Sequence, residues 1–168
     1  RRAVADDKNL QVVVLQRTAE NKYLRLDVDS AEELPSGFPR TREELFAYRG
    51  LILGSVEAAA FTPDQLRMIA DFVDRRGGGL LMLGGRRAFE DGGYAGTPVA
   101  DVMPVVLEPG ARNEDAVARL TVRPTRAGAS SPMTQIAQTE AESVARWGQL
   151  PAVTRVNAVR RAKPGSTT

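Results

Sequence analysis

RRGGGLLMLGGRRAFEDGGY, residues 75–94, runs from a charged helix end through four apolar residues into a second glycine cluster. Arg75 and Arg76 suit the negative end of a preceding helix, and Gly77 suits the left-handed residue that stops it. LLML, residues 80–83, reads as a strand, with Gly84 and Gly85 forming the turn after it. α/β enzymes place nucleophiles on such strand-to-helix turns. What surrounds this turn therefore governs both architecture and chemistry.

Upstream lies FTPDQLRMIADFVD, the clearest helix. Thr62 is its N-cap, Pro63 occupies the first turn, and Asp64 and Gln65 follow at the positive dipole end. Leu66, Ile69, Phe72 and Val73 share one face at helical spacing. Before it, GLILGS reads as a second strand, entered from TREELFAY, a short helix with Thr41 and Glu44 in a capping box. ELPSGFPR, with two prolines and a glycine, is a loop. LQVVVLQR, residues 10–17, is a β-branched run expected to be a strand buried on both faces. NKYLRLDVDS adds a short extended piece, and RRAVADD reads as the end of a helix. Strand, helix, strand, helix, strand with short connections predicts a right-handed parallel sheet. Gly54-Ser55 and Gly84-Gly85 would then lie at its carboxyl edge, where open α/β sheets bind ligands.

Downstream, TPVADVMPVVLEPG carries three prolines and is expected along the sheet edge. ARLTVRPT, residues 118–125, reads as a strand. SSPMTQIAQTEAESVARWGQL reads as a loop followed by a helix, with Trp147 packing near its end. PAVTRVNAVRRAKPGSTT alternates like a strand before a polar tail. The expected organisation is one α/β domain over 1–150, with 151–168 leading toward a neighbouring region.

The chain has 168 residues, 42% hydrophobic and 26% charged, which describes a globular chain able to bury a core. A net charge of +2, with no basic tract or interleaved aromatics, points away from nucleic acid. No apolar run reaches the ~20 residues needed to span a bilayer, so no membrane insertion by this segment is expected. The opening residues carry no signal-peptide pattern and read as a segment of a larger protein. Cysteine and histidine are both absent. That excludes disulfides, Cys–His and Ser–His–Asp machinery, and histidine-ligated metals within these residues.

In order, LILGS, the capped helix, RGGGLLMLGG, the GGY turn, TPVADVMPV, WGQLP and AKPG resemble the glutamine amidotransferase-like domains of large bacterial membrane-associated proteins. These often stand beside von Willebrand factor A domains. The resemblance covers nearly the whole chain. It implies a three-layer α/β/α sandwich with a mainly parallel sheet, flavodoxin-like and of class I glutamine amidotransferase type. It also implies a place in the cell envelope, and partners among the other domains of the same protein or a separate protein. In true class I amidotransferases the third of these strands ends in an elbow bearing a cysteine, activated by a later histidine and glutamate. Here Gly85 or Arg86 stands in the cysteine's place, and Ser131 stands where relatives carry a His before the proline of SSPMTQI. Neither glycine nor a permanently protonated guanidinium is a nucleophile.

The candidate cleft is therefore a binding site of Gly54, Ser55, Gly84, Gly85, Arg86, Arg87 and Tyr94, with no catalytic residue, no metal and no cofactor. Backbone N–H groups at Gly84 and Gly85, beside two arginines, suit a small anion; the plainer role of the glycines is to permit a tight turn. Ser55 suits the N-cap of VEAAA better than a ligand contact. Tyr94 is a lid or a packing anchor, and Trp147 an anchor that needs a hydrogen-bond acceptor. Glu57, Glu90, Asp91 and Asp101 are the available carboxylates, without the spacing of a calcium loop. Ser130 and Ser131 suit loop or capping roles, having no base beside them. The expected function is a non-catalytic binding or interaction module. The alternatives are a hydrolase or amidotransferase whose catalytic groups come from outside this segment, and a structural spacer.

Overall fold

The computed structural model describes residue 4 and residues 6–20, 22–110 and 119–168. Most of RRAVADD and the first residue of ARLTVRPT lie outside the described residues. The chain divides into two compact units, residues 1–47 and 48–168.

In the first unit, β1 (Val14–Ala19) pairs antiparallel with β2 (Lys22–Leu26), Val14 opposite Leu26 and Ala19 opposite Lys22. The ladder is irregular between Arg17 and Ala19. Behind the hairpin the chain turns at Gly37, whose φ of +92° only glycine adopts at ease. A Cβ there would stand 2.5 Å from the Tyr23 ring. The Arg25 guanidinium donates to the Ala31 and Glu33 carbonyls at 2.7 Å each, fixing the same loop. The short helix α1 (Arg42–Phe46) begins with the expected capping box between Thr41 and Glu44, and it buries Leu45.

In the second unit, β3 (Gly50–Gly54) and β4 (Gly79–Leu83) run parallel in the register Gly50–Gly79 to Gly54–Leu83. Between them lies α2 (Pro63–Asp74). Thr62 and Gln65 form its capping box, Pro63 opens it, and Gly77 at φ +73° follows it. Its buried residues are Met68, Ile69 and Phe72, so the inward stripe includes Met68, while Leu66 and Val73 are half-buried. Helix α2 packs on α3 (Pro98–Val102), whose Val99 is buried. Gly78 comes so close to Phe72 that a Cβ there would stand within the aromatic ring. Leu53, Ala88, Tyr94 and Met103 are also buried in this unit.

Residues 151–168 fold back within the second unit. Val153 bridges Leu120, and β6 (Arg161–Ala162) pairs antiparallel with β5 (Val105–Val106). The Lys163 ammonium donates to the Ala100 and Asp101 carbonyls at 2.8 Å each. Two further helices, α4 (Arg126–Ala129) and α5 (Glu140–Gln149), complete the chain, with Thr139 and Glu142 forming a third capping box. Trp147 donates its indole N–H to the Thr134 carbonyl at 2.8 Å.

The expected three-layer α/β/α sandwich with a mainly parallel sheet does not form. Among the described residues there are three two-stranded sheets, two of them antiparallel. Local closure accounts for the difference. LQVVVLQR supplies a strand only from Val14 onward, and that strand finds its partner two residues later in the chain. A hairpin needs no crossover, whereas each added parallel strand does. Leu10 stays exposed, so the run is not buried on both faces. The β–α–β order yields one parallel pair, whose outer face is open: Ile52 is 57% exposed and Leu81 and Leu83 are 47%. TPVADVMPVVLEPG, expected along the edge of the parallel sheet, instead opens with α3 at Pro98 and then gives β5 of a separate antiparallel pair.

Candidate functional site

The carboxyl ends of β3 and β4 do bring the candidate residues together. Gly54 pairs with Leu83, so the two turns that follow stand side by side. A Cβ at Gly85 would come 2.7 Å from the Ser55 hydroxyl, so a side chain there would force Ser55 to shift. Ser55 itself holds φ +47°, a costly conformation for a residue with a side chain. It caps nothing: the following 3₁₀ turn, Ala58–Ala60, takes Glu57 as its N-cap without a side-chain hydrogen bond.

The turn after β4 is filled from within the chain. The Gly85 N–H donates to Asn157 Oδ1 at 2.9 Å. Asn157 Nδ2 donates to the Gly85 carbonyl at 2.9 Å, the Ala88 carbonyl at 3.2 Å and Asp91 Oδ2 at 2.8 Å. The three acceptors require the amide nitrogen on their side and the single donor requires the oxygen, which fixes the orientation of the carboxamide. Arg155 Nη2 donates to the other oxygen of Asp91 at 3.0 Å. Asp91 keeps only 9% of its side-chain exposure, while Arg155 stays exposed, so the pair sits at the surface with its carboxylate turned inward.

The arginines differ. Arg87, exposed, lies 3.6 Å from the half-buried Glu57, a long surface pair worth little by itself. Arg86 is exposed and has no ion pair or hydrogen bond among the described residues. Tyr94 is fully buried, and its hydroxyl donates to the Val56 carbonyl at 2.9 Å. That tie links the GGY turn to the segment after β3. Burial, with the nearby Glu57 adding to it, pushes the Tyr94 hydroxyl well above the usual phenol range. Tyr94 is thus placed as an anchor beneath the turn and not over it.

The remaining carboxylates do not converge. Among the described residues no group of three acidic side chains could hold a metal ion. Glu90 Oε1 accepts from the Gly110 N–H at 2.5 Å. Ser131 accepts from the Met133 N–H at 3.3 Å, a capping role. No described helix is long and apolar enough to cross a membrane.

Asn157, Arg155 and Asp91's role as their anchor are the features that sequence reasoning missed. Asn157 lies 72 residues beyond Gly85. The available signal was faint: Arg and Asn two apart in an alternating stretch fall on one face. No family model, curated protein or solved structure matches this chain.

Proposed function

We propose that this chain is a non-catalytic binding module. The observation that carries the reading is the turn at Gly84–Arg87: its interior is occupied by the chain's own Asn157, while Arg86 beside it stays exposed. The Ser55 hydroxyl lies beside the turn, histidine is absent as a base, and Glu57 faces Arg87. An oxyanion cannot use the Gly85 N–H while Asn157 accepts from it. Recognition therefore falls to Arg86, whose guanidinium suits a carboxylate or phosphate.

The partner is an acidic group on a neighbouring domain, of von Willebrand factor A type or another, on a separate protein, or on a small anion. The sequence resemblance supports placement in a larger bacterial envelope protein. Turnover separates this reading from its rival. The purified chain should release no ammonia from glutamine and hydrolyse no generic ester. Inorganic phosphate should shift the Arg86 side-chain resonances, and Arg86→Ala should abolish the effect on neighbouring amides. Ammonia release that a single substitution at the turn abolishes would reject the module.

One observation favours the alternative, a hydrolase completed by groups from outside these residues. Ser55 sits at positive φ on a strand end, as strained nucleophiles do. Under that reading, Ser55→Ala would remove activity measured in the full-length protein.

A further inference from the structure

The surface beneath Asn157 has a chemistry of its own. It offers one donor, the Gly85 N–H, against the Gly85 and Ala88 carbonyls and the Asp91 carboxylate. An anion placed there would face three acceptors, one of them charged and nearly buried. A primary carboxamide reaches all four groups, its oxygen accepting from the Gly85 N–H and its two N–H bonds shared among the three acceptors, and a guanidinium two residues earlier satisfies the remaining oxygen of Asp91. Residues 155–157 supply that pair, running between the Val153 bridge and β6 without helix or turn. Both side chains reach the two oxygens of a single carboxylate, so they project from one face of the strap.

We propose that the turn from Gly85 to Asp91 is a reader of Arg-x-Asn segments, and that residues 155–157 are its resident occupant. A partner segment with the same Arg-x-Asn pattern, presented in the same conformation, docks there by displacing the strap. This is a second recognition surface, independent of Arg86. Specificity comes from matching donors to acceptors. A carboxylate in place of the carboxamide would set like charge against Asp91 and leave each carbonyl only its backbone donor, the Ala88 N–H for Gly85 and the Gly92 N–H for Ala88.

The test uses the full chain carrying Arg155→Ala and Asn157→Ala, which empties the surface, and a synthetic peptide of residues 152–160. Binding is followed by ¹⁵N shifts of the Gly85, Ala88 and Asp91 amides. The peptide should bind and perturb these amides, and its Asn157→Asp form should bind at least about tenfold more weakly. Equal binding of both peptides, or no binding to a double variant with a dispersed spectrum, overturns the proposal. If the double variant loses its fold, the same peptide is titrated into the unaltered chain. Displacement should then move the Asn157 side-chain amide resonances, and no movement across the titration overturns it.

Discussion

The hairpin β1–β2 and the parallel pair β3–β4 begin from similar material, an apolar run bounded by polar residues, and end differently. The hairpin finds its hydrogen-bond partner two residues along the chain and leaves the last four residues of β1 exposed. The parallel pair needs the whole of α2 to connect its strands. It shelters one side, Leu51 and Leu53 with Leu80 and Met82, and leaves Ile52, Leu81 and Leu83 open. An apolar run announces a strand; it does not announce which strand will lie beside it.

If the second unit depends on the helix that joins its strands, truncating that helix's central side chain should have the largest effect. Phe72 is fully buried, so Phe72→Ala should cost about 3–5 kcal/mol in a denaturant titration. A loss below about 1 kcal/mol would mean that α2 is peripheral. On the hairpin side, Gly37→Ala forces a Cβ against the Tyr23 ring at φ +92°. It should cost about 1–3 kcal/mol in the same titration.

Tyr94 gives the comparison a pH axis. Its folded-state pKa is raised, so the unfolded chain loses the phenol proton first. The contribution is complete below the unfolded value of about 10 and is lost as pH climbs above it. Melts of the unaltered chain should fall more steeply through alkaline pH than those of Tyr94→Phe. Parallel curves would contradict the burial assigned to Tyr94. The smallest effect belongs to the open face of the parallel pair. Leu81→Lys should change stability by no more than about 0.5 kcal/mol, since Leu81 is already half-exposed. A larger loss would show that this face is covered in solution.

Local punctuation was legible from residues alone. The capping box at Thr41, the N-cap at Thr62, Pro63 at the helix entrance and Gly77 after its end all depend on neighbours within a few positions. The approach of the Ser55 and Gly85 turns followed from the β–α–β order. The number of strands per sheet did not follow, because pairing is a choice among distant partners with similar apolar faces. The filling of the turn was equally hidden. One polar side chain, 72 residues from the glycine whose N–H it accepts, leaves no periodic trace in the sequence. Its effect is to turn an apparent anion cradle into a surface that selects hydrogen-bond donors.

Hydrogen exchange at the Gly85 amide probes that occupancy most directly. In the unaltered chain this amide should exchange slowly, and in Asn157→Ala it should exchange at least about tenfold faster while amides of β3 and α2 keep their protection. Fast exchange at Gly85 already in the unaltered chain would mean that the turn stands empty, and the proposal of a self-occupied, non-catalytic site would fail.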